Sequence, residues 1–489
     1  MVSSRTRFRA PGRFLRAAIL LATPCLTPAV RSLAADTIVL KNGRRIPATS
    51  AVEAGEKVTY QTSAGELSLP LSIVDHIEKG GASFLQETAG HAATKLAITP
   101  PAIESNAAIE KGTVRDGSVD RAYLAKLDGE AHSGLPAGDA LAALAHHTAA
   151  QFELSHGDME SALADERTGL TFAPSSPAML MNVAYLHLLR SEYKAALEYL
   201  EHARSLAPGN PDVPKMEGWA LYGLNKLDQA VTEWKRSLAL RQDPEVQNAL
   251  DKALRDRDEE QNYRENESSH FMLRYSGEAQ PELAHEIMHA LETHFSAIES
   301  ELNFTPPDPI GVILYTQQAF ADITRAPGWV GALNDGRIRV PVQGLTSLTP
   351  ELSRVLKHEL THSFIQQKTH GRAPTWMQEG IAQWMEGKRS SENSSALIQI
   401  YDQKTAKPLN QLEGTWMGLP ADVASYAYAW ALANVEYLIQ ADGMGDIERI
   451  LNRIAAGDST EAGLSEVLHS DYEDLMQSTV NYLRKTYIR

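Results

Sequence analysis

One cysteine occurs in 489 residues, and it is Cys25. Everything downstream of it lacks a thiol, which excludes disulfide staples, thiolate nucleophiles and cysteine-rich metal sites there. Positive charge is also short. Lys and Arg number 46 against 62 Asp and Glu, for a net charge of −16, and this disfavours nucleic acid as a partner. Long apolar runs are missing after residue 34: none reaches the roughly 20 residues that a membrane-spanning helix needs. What remains is an ordinary globular balance, 43% apolar and 22% charged, over a length that allows about three domains.

The first 34 residues stand apart. They hold Arg5, Arg7, Arg9, Arg13, Arg16 and Arg31 and no acid. The apolar run AAILLATPCLTPAV follows the first five arginines, is broken by Pro24 and Pro28, and leads to small residues around Ser32-Leu33-Ala34. Residues 1–34 therefore read as a secretory signal peptide, and the rest as an exported, periplasmic or secreted bacterial protein. Pro24 directly before Cys25 argues against lipid attachment at that cysteine.

Residues 36–79 alternate in short apolar runs, DTIVLKNGRRIPA and EKVTYQTSAGELSLPLSIVDHI, with turn signals at Asn42-Gly43 and Ala64-Gly65. They are expected to form a small β-barrel-like (SH3-like) segment. Residues 80–136, rich in Ala, Gly, Ser and Thr, read as a linker that is partly helical. A repeat then occupies 137–260. Ala162, Ala196 and Ala230 are spaced by 34, as are Pro174 and Pro208, and so are Ala150, Ala184 and Gly218. The unit PAMLMNVAYLHLLRSEYKAALEYLEHARSLAPGN (177–210) resembles the tetratricopeptide repeat, with small residues where paired helices touch. About three repeats, over 143–244, share the pattern; in the third, Glu217 and Gln242 stand where an apolar residue and a proline are usual. The resemblance implies an α-solenoid whose concave face takes a protein or peptide partner. A charged stretch at 245–267 marks a boundary. Residues 268–489 mix strands (HFMLRY, 270–275; PIGVILY, 309–315; GRIRVPV, 336–342) with helices, an α+β pattern, so the chain as a whole reads as multidomain.

Two segments of that last part fit a His-Glu-x-x-His template: HEIMH at 285–289 and HELTH at 358–362. On a helix of 3.6 residues per turn, Ala284, Ile287, Leu291, Phe295 and Ile298 make one apolar stripe, with His285 and His289 on the far side among Glu282, Glu286 and Glu292. That is an amphipathic helix with its histidines in water. Around HELTH, Leu352, Val355, Leu356, Leu360, Phe364 and Ile365 surround the helix almost completely, which predicts a buried helix. His358, Glu359 and His362 lie on it together, and polar groups so placed need partners. Thr349 is expected to cap this helix, with Pro350 at its first position.

Histidines at i and i+4 project from one helix face and can share a metal. A further ligand is expected from a neighbouring helix, and Glu379 lies 17 residues beyond His362 in APTWMQEGIAQWMEG. HELTH followed by Trp-Met-Gln-Glu-Gly-Ile-Ala resembles the gluzincin metallopeptidases, in particular the peptidase MA-like family, over roughly 268–445. The resemblance implies Zn2+ held by His358, His362 and Glu379, with a fourth position left for water as in catalytic zinc sites. It gives Glu359 the part of general base. It places a tyrosine in a later helix near the oxyanion, for which Tyr426 is the better match and Tyr428 the second. Gln383, one turn after Glu379, is a candidate to orient a ligand. GRIRVPV would be the edge strand along which a peptide lies. The expected function is an exported zinc metallopeptidase with the repeats recruiting a partner or substrate. The alternative is a repeat-based adaptor with an idle peptidase-like domain.

Overall fold

The computed structural model describes residues 35–81 and 99–488, apart from 42–44, 49, 56, 63–64, 100, 105, 136, 277–280, 325–331, 343–344, 417–418 and 420. The expected signal peptide (1–34), including Cys25, and the Asn42-Gly43 turn lie outside the described residues.

The N-terminal segment is six short strands: β1 (Ala35–Leu40), β2 (Arg45–Ala48), β3 (Ser50–Ala54), β4 (Lys57–Thr62), β5 (Gly65–Pro70) and β6 (Val74–Gly81). They make two three-stranded antiparallel sheets, ordered β2-β1-β6 and β3-β4-β5. Ile38, Ala51, Val58, Tyr60 and Val74 form the small core between them. Among the described residues no strand pairing closes these sheets into a barrel.

The segment read as a linker is more ordered than its composition suggests. It holds α1 (Ala107–Thr113), the hairpin β7 (Val114–Arg115) and β8 (Ser118–Val119), and α2 (Arg121–His132). Leu124, Leu127 and Ala131, spaced by three and four, pack on Ala142, Ala145 and Ala149 of α3 (Gly138–Ser155). The stripe is short and made partly of alanine, which is why it is faint in the sequence.

Helix pairs follow with the 34-residue spacing: α3 with α4 (Met159–Phe172), α5 (Pro177–Leu189) with α6 (Tyr193–Leu206), α7 (Asp212–Gly223) with α8 (Leu227–Leu240), then α9 (Pro244–Glu260). The alanines of the repeat, Ala162, Ala196, Ala230 and Ala184, are fully buried at the helix crossings. Gly218 is there because a Cβ would sit 2.4 Å from the Trp234 indole. The irregular third repeat has local compensations. Glu217 is buried and pairs with Arg204, and burial pushes its carboxyl up to about 7. In place of a proline at 242, Asp243 caps α9 by accepting from Glu245 and Val246, with Pro244 at its first position.

The last part is built on a five-stranded sheet of β9 (Tyr263–Glu267), β10 (Phe271–Ser276), β11 (Ile310–Tyr315), β12 (Leu333–Asn334) and β13 (Ile338–Pro341), in the order β12-β13-β11-β10-β9. The three central strands run parallel; β9 and β12 are antiparallel to their neighbours. The helices are α10 (Pro281–Leu302), α11 (Gln317–Thr324), α12 (Pro350–Lys368), α13 (Thr375–Met385), α14 (Ser394–Asp402), α15 (Ala421–Ala441), α16 (Met444–Ala455), α17 (Thr460–Leu468) and α18 (Tyr472–Tyr487). One large apolar core runs from the sheet through α10, α12, α13 and α15 to α18. Among the described residues no helix is long and apolar enough to cross a membrane.

Candidate metal centre

HELTH lies in the middle of α12. Thr349 Oγ1 accepts the N–H of Leu352 at 3.1 Å and Pro350 opens the helix, as its sequence predicts. Leu352, Val355, Leu356, Leu360, Phe364 and Ile365 are all buried, so the helix is apolar nearly all round. Past Lys368 the chain turns through His370 and Gly371, both at positive φ, and α13 starts after Pro374. Gly380 then lets α13 press against α15: a Cβ there would lie 2.4 Å from the Ala431 carbonyl oxygen. The close approach helps fix α13, which carries Glu379 immediately before Gly380.

The three expected ligands converge. His358 Nε2 is 3.1 Å from His362 Nε2. Glu379 Oε2 is 3.3 Å from His358 Nε2 and 3.5 Å from His362 Nε2. Tetrahedral ligands at ordinary zinc bond lengths lie roughly 3.3–3.6 Å apart, so the spacing suits one small cation at their centre. His358, His362 and Glu379 are at most 1% exposed, and they are the cluster among the described residues whose ligand atoms gather this closely. Glu379 makes no hydrogen bond with either carboxylate oxygen, nor does Glu359, although both are fully buried. Buried carboxylate oxygens in that state carry a desolvation cost that a cation or an activated water relieves.

The electrostatics agree. Burial disfavours charge on His358, but Glu386 and Glu379 outweigh it and push the ring up to about 10. Burial by itself would raise Glu379, yet the neighbouring His362 and His358 rings hold it at about 2. The cluster thus favours a positive charge among these groups, and a divalent cation supplies that charge in place of a ring proton. Burial pushes Glu359 up to about 8, with His358 opposing and Glu379 and Glu386 adding to the effect. A carboxyl in that range is poised to take up and release a proton near neutral pH.

Glu386 was not among the residues the sequence pointed to. It caps the C-terminal end of α13, seven residues after Glu379, and its Oε1 lies 3.3 Å from His358 Nδ1 and 3.0 Å from Lys388 Nζ. A carboxylate in that position can hold the His358 ring from behind, as outer partners of metal-binding imidazoles do; its signal in the sequence is the two-turn spacing from Glu379. Gln383 acts differently from expectation. Its Nε2 donates to the backbone carbonyls of Glu379 (3.2 Å) and Tyr428 (3.1 Å), so it ties α13 to α15 and does not touch a ligand atom. The Tyr426 hydroxyl accepts the N–H of Lys407 at 3.0 Å and its ring packs edge-on to Trp430; none of these contacts reaches the His–Glu cluster. Tyr428 is buried, with its ring edge-on to Trp416. GRIRVPV is not the sheet edge over its first half: Leu333 and Asn334 pair with Arg339 and Ile338, because the chain folds back at Asp335-Gly336.

HEIMH, on α10, behaves as its pattern predicts. Leu283, Ala284, Ile287, Leu291, Phe295 and Ile298 are buried, while His285 and His289 are exposed.

With that geometry, the sequence comparisons are direct. Residues 301–485 match the profile of the Peptidase MA superfamily, and residues 187–253 that of the tetratricopeptide repeat. Residues 301–485 are a Peptidase MA superfamily domain. HELTH and Glu379 lie inside that Peptidase MA match, and HEIMH lies before it. Among curated proteins none matches the chain. Among solved structures, one chain of the Naa15/Naa10 complex bound to HypK-THB is similar at 14% identity, over 76% of this chain and 56% of that one, with a TM-score of 0.19. That likeness is too slight to bear on fold or function.

Proposed function

We propose that the chain is an exported zinc metallopeptidase that hydrolyses peptide bonds in protein or peptide substrates. The observation that carries the reading is the 3.1–3.5 Å triangle of His358 Nε2, His362 Nε2 and Glu379 Oε2 beside a buried carboxyl, Glu359, that has no hydrogen-bond partner. His358, His362 and Glu379 would hold the zinc, which when bound polarises the scissile carbonyl and acidifies water. Glu386, behind His358, keeps that ring turned so that Nε2 points into the cluster. Glu359 takes the proton from the attacking water and passes it to the nitrogen of the leaving amine. The short strand β12 is the antiparallel edge of the sheet next to α12, and it is the place in the fold where an extended peptide would add as a further strand. The arginine-rich, apolar first 34 residues support export. The repeats supply a surface for a protein partner or substrate.

A second reading, an adaptor whose peptidase domain is idle, is favoured by how firmly the repeats are joined to that domain, with Lys252 of α9 bonded to Asp335 at 2.6 Å and Asn225 to Met272 at 3.4 Å. One set of measurements separates the two. The chain from residue 35 onward is assayed for zinc by elemental analysis and for cleavage of an unstructured protein. Bound zinc with cleavage that Glu359→Gln removes supports the peptidase. Zinc without cleavage of a broad peptide set supports the adaptor, and a wild-type chain without zinc at neutral pH sinks the metallopeptidase.

A further inference from the structure

The β12–β13 hairpin is held from two sides. On one side it meets the end of the repeat array through a buried ion cluster. Arg337 donates to both carboxylate oxygens of Glu260 at 2.6 Å and to Asp256 Oδ2 at 3.1 Å. Arg339 donates to the two Asp256 oxygens at 3.1 and 2.9 Å and, through Nε, to Asp335 at 3.0 Å. Lys252 Nζ reaches Asp335 at 2.6 Å. The hydroxyls of Tyr222 and Tyr315 donate to Asp256 (2.6 Å) and Glu260 (2.7 Å). Arg337, Arg339 and Asp256 are at most 1% exposed. Tyr222, Lys252, Asp256 and Glu260 come from α7 and α9; Tyr315, Asp335, Arg337 and Arg339 come from the sheet domain. Fork-shaped guanidinium–carboxylate contacts of this kind fix geometry as well as energy, and a buried cluster is a better guarantor of one arrangement than of stability.

On the other side the same hairpin grips the HELTH helix. Asn334 Nδ2 donates to the backbone carbonyl of Glu359 at 2.9 Å and to Ser363 Oγ at 2.6 Å. Its Oδ1 accepts the N–H of Gly336 at 3.1 Å, which locks the side chain to the turn. Asn334 is buried. It is the immediate neighbour of Asp335, so the last cluster residue and the residue holding the Glu359 peptide are joined by one covalent step.

We propose that the end of the repeat array is a brace for the catalytic helix. α9 fixes the β12–β13 turn through the ion cluster, and Asn334 transmits that position to the backbone of Glu359. Asn334 is then a positioning residue, and a partner that displaces α9 alters the site without touching it. The functional meaning rests on the peptidase reading, whereas the mechanical coupling is a property of the folded chain.

Hydrogen exchange followed by mass spectrometry on the chain from residue 35 onward, without metal, tests the coupling. Asp256→Asn is expected to speed exchange at least ten-fold in α9 and also in 350–368, while α5 and α18 keep their wild-type rates. Asn334→Ala is expected to loosen 350–368 and leave α9 unchanged. Faster exchange confined to α9 and β13 in the first variant, or an unaltered α12 in the second, overturns the proposal. Should Asp256→Asn fail to fold, Lys252→Met, at the partly exposed rim of the cluster, takes its place under the same criteria. A separate titration with Co2+ and a cleavage assay keep the two ideas distinct. A wild type that takes up no metal removes the peptidase reading and leaves the exchange result standing. In a metal-loaded, cleaving wild type, Asn334→Ala should lower kcat at least ten-fold with KM within two-fold; equal kcat in the variant makes Asn334 merely structural.

Discussion

α10 and α12 carry the same five-residue pattern and pack against each other, with Phe295 edge-on to Phe364 at 4.8 Å and His294 Nε2 at 2.9 Å from Ser353 Oγ. Their histidines have opposite surroundings. His285 and His289 face water, where an imidazole needs no partner. His358 and His362 are enclosed, and α13 brings Glu379 to within 3.5 Å of both. α10 has one buried stripe because it lies on the outside of the domain. α12 is buried all round because α10 and the sheet cover one side and α13 and α16 the other. The pattern His-Glu-x-x-His is therefore a statement about spacing only. A metal centre needs in addition an interior in which an unliganded ring is costly and a neighbour that supplies the remaining charge.

The strongest way to break the comparison is to delete histidines from each helix. His358→Ala or His362→Ala should weaken zinc binding by more than the roughly 100-fold that loss of an outer partner costs and should abolish peptide hydrolysis. The double change His285→Ala with His289→Ala should leave zinc content and hydrolysis at wild-type values. Loss of zinc from that double variant would overturn the distinction between the helices. The central glutamates sharpen it further. Glu359→Gln should retain zinc while turnover falls by about 10²–10⁴-fold, the usual worth of a general base; Glu286→Gln should not change turnover. Next in size is the group behind the ligand: Glu386→Gln should cost about 10–100-fold in zinc affinity, read by competition with a chelator, with kcat of the fully loaded enzyme less affected.

What the sequence makes legible follows the same division. The enclosure of HELTH is visible from Leu352, Val355, Leu356, Leu360, Phe364 and Ile365, because a helix's own periodicity reports which faces are covered. Glu379 is visible because Trp-Met-Gln-Glu-Gly-Ile-Ala is a compact local pattern, and the repeats because their period is regular. The parts that escaped depend on distant partners. Arg337 and Arg339 pair with residues 77 to 83 positions away, so nothing local marks them as the interface to α9. The edge strand lies one hairpin away from GRIRVPV: Asp335-Gly336 between apolar runs is a turn signal, and it puts Leu333-Asn334 at the edge. The family resemblance points to Tyr426, whose hydroxyl accepts the N–H of Lys407, 19 positions away, a contact that nothing local announces. The helices α1 and α2 fall in the stretch that reads as a partly helical linker, and their bounds are faint because a short stripe such as Leu124, Leu127 and Ala131 carries little hydrophobic contrast.

Two smaller effects test the packing around each helix. Gly380→Ala forces a methyl against the Ala431 carbonyl and Val435; it should lower stability by about 1–3 kcal/mol through overpacking and also reduce zinc affinity, because α13 carries Glu379. A loss of stability without any change in zinc affinity would mean that α13 shifts without moving its carboxylate.

The smallest expected effect concerns the glutamate of HEIMH. Glu286 Oε2 accepts the N–H of Leu348 at 2.6 Å, one residue before the Thr349 cap of α12. The outer helix thus has a use for its central acid, but as a clasp on the loop that leads into the inner one. Glu286→Ala removes a charge-assisted hydrogen bond at an exposed position, so thermal unfolding should register a loss of about 0.5–1.5 kcal/mol. Zinc binding and turnover should follow wild type, since the cap at Thr349 and the enclosure of α12 survive the change. If turnover fell with the zinc site intact, the outer helix would be setting the start of the inner one, and the two copies of the pattern would act as one unit with a wet half and a dry half.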